Sequence, residues 1–492
     1  MPGESYKDHV EKLEAGLPPY AKKSFESFSP KFIDGGGIHD FYETLWKKTP
    51  SGIPKLQSRT PLQLERDRIL YSPALRKQTE KYHVLYNGQR RIVRNYTTHT
   101  MRMAQVTRAI CRGLSLNGDF AEAMALGAKA GAAPFIHASK RPIADWIIGK
   151  VKELDVHYAA AEPLTATRKT QLALEFGDAS LPGWIGNLQS SKALEGVRKF
   201  IPWAAGKNVD HPYSSGQQSY WLLCTNPYSL EANPHVFCPE TMTGIWCHTR
   251  GIRPERDSFY HKYLLDSAPA MSLEMKWDHF TYEASVVQYA DDVTWVIENL
   301  NDANSAALLN KRSNSVYADL VTVLSPQDAP EGLLRSLNDN DSGGIYTYFI
   351  ADFVNHSRKI LDKLGDGAYL RQALREGTAS GYIGLSPEAE VHLDKCSDFL
   401  QSSVFNEARV KNRANMLRTV SLACLDLLYS GWADTLPTMI REKATLERWT
   451  PAKLAKAIDL LRDPFHRIQA AVDVFVEMGD QEIYDFVGIQ AL

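Results

Sequence analysis

The stretch from Thr97 to Lys129 limits the fold more than any other part of the chain. Met101, Ala104, Ile110 and Leu114 recur at helical spacing over Thr97 to Leu116, and Asn117-Gly118 then forces a turn. Asp119 offers an N-cap, with Glu122 three residues on to complete a capping box, and Phe120 to Lys129 is small and apolar enough to predict a buried helix. Two packed helices therefore meet here.

Further helical periodicity runs near Leu273 to Leu300, Gly344 to Lys363, Asn406 to Leu428 and Pro451 to Met478, the last with Thr450 as its cap and Pro451 at the first helical position. Strand patterns are sparse. Residues 1–59 hold the breakers Gly35-Gly36-Gly37 and Pro50-Ser51-Gly52 and read as an irregular arm with short helices. The expectation is a mainly α protein: an N-terminal arm over 1–59, a helical core over 60–320, and a C-terminal helical region over 321–492 packed on that core.

Charge and cysteine content narrow the function classes. With 56 Lys plus Arg against 58 Asp plus Glu, the formal charge of -2 supplies no overall field for nucleic acid. No segment approaches the length needed to span a bilayer, and the first residues have no apolar signal core, so a cytoplasmic protein without membrane contact is expected. The six cysteines are scattered without a C-x-x-C pair, which suits reduced, mostly buried thiols. The aromatic-rich segment Tyr213 to Trp221 reads as core, and no P-loop, nucleophile elbow or dinucleotide fingerprint accompanies it.

Four segments in order, Arg66 to Arg76, Arg94 to Thr100, Glu122 to Ala138 and Glu283 to Ala303, carry a family likeness, with a weaker fifth at Gly216 to Ser219. The chain resembles the deoxynucleoside triphosphate triphosphohydrolases (dGTPases) of the HD superfamily over about residues 60 to 305, which implies an HD-type helical globule. The likeness speaks for fold and not for activity.

The family binds a divalent metal through a His, an adjacent His-Asp pair and a distant Asp, because several ligands are needed to hold an ion that polarises phosphate and activates water. The resemblance puts the first ligand on His99 and the last on Asp291, while the central pair falls on Ala128 and Lys129. Ala128 cannot coordinate, and Lys129 sets an ammonium where a carboxylate should neutralise the ion. The expectation is that the Lys129 amine takes the ion's place and pairs with Asp291, leaving a satisfied buried polar cluster and no metal or other cofactor. His137 matches the proton-transferring His, yet the first loop His is Ala132 and the Glu that assists it is Lys140, so His137 reads as a vestigial catalytic position.

Substrate positions carry over in altered form. His83 matches a Gln near the sugar, Tyr96 a phosphate-contacting Arg, Trp295 a sugar-stacking Tyr, Asn299 the Asp that reads the 3'-hydroxyl, and Gln218 lies in the fifth segment. Arg68 and Arg94, with Arg76, are candidates to line a triphosphate pocket, set against local pairing or solvent exposure. Packing is the competing role for Trp295. The leading expectation is a pseudoenzyme that binds a nucleotide or dNTP-like molecule and works as a regulatory or sensing module, assembled with itself or with another chain. One alternative is an active, metal-dependent triphosphohydrolase whose altered centre is built on His99, Asp291 and His137. Another is an architectural subunit whose old pocket is filled by its own side chains.

Overall fold

The computed structural model describes residues 61–82, 94–159, 213, 215–225, 237, 239–248, 281–305, 316–324, 329–364, 383–446, 450–461 and 464–488. The N-terminal arm, with its glycine breakers, and His83 lie outside the described residues. Those described are overwhelmingly helical, and the only β-type pairing among them is the isolated bridge between Tyr82 and Asn95. No described helix is long and apolar enough to cross a membrane.

Helix α1 (Pro61–Leu70) leads to α2 (Tyr96–Leu114), which Asn95 opens by accepting the Thr98 N–H at 3.0 Å. Met103, Ala104, Ile110 and Leu114 make a buried stripe along α2; Met101, expected on that face, is 63% exposed. Burying Met103 and Ile110 stabilises the fold by about 1.5–3 kcal/mol each. Ser115, in the left-handed region at φ 56°, ends the helix.

Helix α3 (Gly118–Gly127) corrects the expected cap. Asn117, not Asp119, is the N-cap, its Oδ1 accepting the Phe120 N–H at 3.0 Å. The Asp119 carboxylate is drawn away by Arg66 (2.6 Å) and Gln63 (2.8 Å) of α1, and Glu122 takes Arg108 at 2.7 Å rather than closing a capping box. The small residues of α3 permit close approach, since a methyl at Gly127 would overlap the Ile245 side chain. The helix stops at Gly127, so Ala128 and Lys129 stand in the irregular segment that follows.

That segment, running to Ile136, is pinned from several directions. The Gly131 N–H donates to Ser219 Oγ (2.7 Å), Tyr213 Oη donates to Gly131 O (2.8 Å), Lys81 Nζ donates to Ala132 O (2.6 Å), and the Phe135 N–H donates to Asp480 Oδ1 (2.9 Å). These bonds hold Phe135 and Ile136 at φ 55° and 48°, a region bulky and β-branched residues rarely adopt. Helix α4 (His137–Ala159) starts immediately after. Helices α5 (Ser215–Tyr220) and α6 (Pro239–Trp246) then pack beside α3, and α7 (Tyr282–Ser305) lies against α2, α3 and α6 with most of its residues buried.

The C-terminal half includes α8 (Ser342–Leu364), α9 (Pro387–Phe399), α10 (Ala408–Ser430), α11 (Pro451–Leu460), α12 (Pro464–Glu477) and α13 (Asp480–Val487) among its helices. Helix α10 packs along α4, where Trp146 Nε1 donates to Asp426 at 2.9 Å and the hydroxyls of Ser139 and Ser421 meet at 2.8 Å. The single helix expected from Pro451 to Met478 is two, α11 and α12. Pro464 begins the second, because proline has no N–H to continue a helix and its ring clashes with the carbonyl four residues back. The described cysteines Cys111, Cys247, Cys396 and Cys424 are buried free thiols.

Candidate ligand-binding cluster at Asp291

Helix α7 presents Asp291 to the segment after α3, and the two meet through charge. Lys129 Nζ lies 2.6 Å from Asp291 Oδ1 and 2.7 Å from Oδ2, with the side chains 5% and 15% exposed. The Tyr96 phenol takes a further contact of the same ammonium. Burial alone would lower the Lys129 pKa, but the adjacent Asp291 carboxylate outweighs it and raises it. Burial would likewise raise the Asp291 carboxyl, yet Lys129, with His99 and His248, holds it far below the usual carboxylate range. The pair is fully ionised at neutral pH.

His99, one helical turn into α2, brings Nε2 to 3.6 Å from Asp291 Oδ1 and stacks its ring on Tyr96 at 5.3 Å between centroids. Burial pushes its pKa down to about 4, with Arg94 and Lys129 assisting, so the ring is neutral. Arg94 Nη1 sits 3.2 Å from His99 Nδ1. The same guanidinium holds Asp302 (2.6 and 3.0 Å) and Glu298 (3.4 Å), and the fully buried Glu298 also accepts from Arg102 and from Tyr346 Oη (3.0 Å). Arg94 is thus spent within the protein.

His248, just beyond α6, completes the cluster and was not singled out from the sequence. Its Nε2 lies 3.9 Å from Asp291 Oδ2 and 3.5 Å from Ser215 Oγ, while Nδ1 meets Ile245 O at 2.9 Å. Burial lowers its pKa to about 3. Gly216 makes room for it, since a methyl there would come within 2.7 Å of His248 Nδ1. Lys140, half-buried in the first turn of α4, has its pKa lowered by burial and then by the charge of Lys129.

The other expected site residues are dispersed or engaged. Gln218 is fully buried and donates to Asp473 at 2.7 Å, a carboxylate also held by Trp221 and Gln469. Asn299 is buried and donates to Trp295 O of its own helix at 2.7 Å, and Trp295 stacks on Phe405 at 5.9 Å. Arg68 is half-buried on α1, with no hydrogen bond or ion pair joining it to the cluster among the described residues. His137 opens α4, its side chain lying outside the described residues.

The donor set does not fit a divalent ion. Both Asp291 oxygens already face an ammonium, and Ala128 has no ligand atom. Among the described residues no group of three or more His, Cys, Asp or Glu side chains is arranged to hold one.

No protein-family model matches the chain. Known proteins match in part. A deoxyguanosinetriphosphate triphosphohydrolase-like protein of Ralstonia pickettii (strain 12J) is 39% identical over 133 residues, 27% of this chain and 29% of that protein. One of Brucella anthropi is 39% identical over 186 residues, 36% of this chain and 44% of that protein. Another, of Caldanaerobacter subterraneus subsp. tengcongensis, is 41% identical over 86 residues, 18% of this chain and 25% of that protein. The chain therefore spans less than half the length of these relatives. Over these matched segments, the chain is similar to deoxyguanosinetriphosphate triphosphohydrolase-like proteins.

Proposed function

We propose that this chain is a catalytically degenerate relative of the dGTPases, acting by binding a nucleotide or a partner chain in a regulatory or sensing role. The observation that supports the reading is the contact of the Lys129 amine with both oxygens of Asp291, which sets a fixed positive charge where a catalytic cation would have to sit. Without an ion to polarise phosphate and activate water, the cluster has no means of triphosphate release. His137 supplies no substitute, because Ala132 and Lys140 stand where the resemblance expects its supporting His and Glu. The binding role rests on Tyr96, Trp295 and Lys140 as groups able to meet a base, sugar or phosphate, and assembly with itself or another chain is part of the proposal.

A second reading, an architectural subunit, is favoured by one observation: Gln218, Asn299 and Arg94 are already satisfied by Asp473, Trp295 O and Asp302. Thermal unfolding against a panel of ribo- and deoxynucleotides separates the two. A ligand at a hundred times its dissociation constant stabilises by about 2.7 kcal/mol and raises the Tm, whereas no shift with any nucleotide selects architecture. Stoichiometric metal-dependent release of inorganic triphosphate from a dNTP would overturn both.

A further inference from the structure

We infer that His99 and His248 are held in opposite tautomers, and that Arg94 is the positioning residue that sets the one on His99. A guanidinium has donors only, so the contact of Arg94 Nη1 with His99 Nδ1 at 3.2 Å makes Nδ1 the acceptor. The neutral ring then carries its proton on Nε2, which faces Asp291 Oδ1 at 3.6 Å. Arg94 cannot readily withdraw, because Asp302 and the buried Glu298 fix the same guanidinium, while Tyr96 stacks on the His99 ring and holds its plane.

For His248 the logic runs the other way. Its Nδ1 meets the Ile245 carbonyl at 2.9 Å, and a carbonyl can only accept, so Nδ1 carries the hydrogen. In the neutral ring Nε2 is then the acceptor, 3.5 Å from the Ser215 hydroxyl, which can donate to it, and 3.9 Å from Asp291 Oδ2.

A histidine that ligates a cation presents a lone pair to it and donates its other N–H outward to an acceptor. His248 has that form, and His99 has the reverse. The cluster is thus closed to a cation twice: by the ammonium on Asp291, and by the guanidinium behind His99. Deleting the Lys129 amine leaves the second obstacle in place. The inference goes beyond the proposed function, since it holds whether or not the protein binds a nucleotide.

The test is long-range proton–nitrogen correlation NMR on the full chain labelled with 15N-histidine, the two rings being assigned by the loss of their signals in His99→Gln and His248→Gln. The wild-type protein at pH 7 is expected to show His99 protonated at Nε2 with a bare, hydrogen-bonded Nδ1, and His248 with the opposite pattern. Any other state of either ring, doubly protonated or averaged between tautomers included, overturns the inference. Arg94→Met then tests the cause, because Arg102 and Tyr346 remain on Glu298 while Nδ1 loses its donor. A folded Arg94→Met protein is expected to move His99 toward the Nδ1–H form; an unchanged ring would remove Arg94 from its assigned role. Should that variant not fold, the wild-type spectrum alone decides the tautomers, and Arg94→Gln, whose amide can still donate, is expected to preserve the wild-type signal; a shift of that signal would also remove Arg94 from its role.

Discussion

Replacing Lys129 with methionine keeps the volume of the side chain and deletes its charge, leaving Asp291 buried beside two neutral imidazoles. Removing one partner of a buried ion pair costs about 3–5 kcal/mol, mostly the desolvation of the charge left behind. The structure also sets a ceiling. Asp291 can escape by taking up a proton, and neutralising a carboxyl with an ordinary value of 3.8 costs about 1.4 kcal/mol per pH unit, or about 4 kcal/mol at pH 7. The expected loss for Lys129→Met is therefore about 3–4 kcal/mol at pH 7, shrinking to about 1–2 kcal/mol at pH 5. In Lys129→Met/Asp291→Leu no charge is stranded, and stability should return to within about 1 kcal/mol of wild type; since Asp291→Leu alone should also cost about 3–5 kcal/mol, the coupling in the double-mutant cycle is about 5 kcal/mol or more. Equilibrium urea unfolding read by tryptophan fluorescence and circular dichroism gives each corner of the cycle. A single-variant cost below about 1 kcal/mol, or additive single costs, would refute the view that these two charges sustain one another.

The remaining predictions concern the groups around that pair. His99 and His248 are neutral in the fold, with pKa values near 4 and 3 against an ordinary 6.5, so the unfolded chain takes up protons below pH 6.5 that the folded one refuses. Their contribution is present above pH 6.5 and is lost as pH falls toward 4, by roughly 2–3 kcal/mol for each ring; His99→Gln and His248→Gln should each flatten that loss in urea melts at pH 7 and 4.5, and an unchanged slope contradicts the burial argument. Asp473 and Asp480, raised by burial to about 7, run with the opposite sign as pH rises, so the comparison is variant against wild type. Gly131→Ala should cost several kcal/mol or prevent folding, because its methyl would overlap the main chain of Gln218 and Ser219, and a wild-type Tm would contradict that crowding. Lys81→Met strands the carbonyls of Ala132 and Val476, and faster amide hydrogen exchange over residues 131–136 is the expected readout, with unchanged protection the contrary result.

The helical architecture was legible because its signals are local. The stripe of α2, the breaker at Asn117-Gly118 and the periodicity of α8 and α10 all lie within a few turns of sequence. What escaped depends on distant partners. Asn117 and Asp119 are equally good caps by type, and only Arg66 and Gln63, arriving from α1, decide that Asp119 is engaged elsewhere. The break at Pro464 was visible in the sequence and outweighed by the apolar periodicity on both sides.

Within the cluster the pattern is similar. Asp291, Glu298 and Asp302 are spaced by seven and four residues, which puts three carboxylates on one face of α7. That spacing already called for cations, and Lys129, Arg94 and Arg102 supply them. Arg94, considered from the sequence for a triphosphate, is held by Glu298 and Asp302 of α7 instead. His248 had no such signal, since it follows a short helix in a stretch with no spacing motif, and only the close approach of Gly216 reveals its place.

Elemental analysis by inductively coupled plasma mass spectrometry, on protein purified without chelator and then dialysed against micromolar manganese, zinc or magnesium, puts the ammonium-for-cation account to the most direct trial. An amine bonded to both oxygens of Asp291 predicts far less than one equivalent of any divalent ion per chain, unchanged in Asp291→Ala. One equivalent that disappears in Asp291→Ala would mean that the carboxylate serves a metal and that Lys129 does not stand in its place.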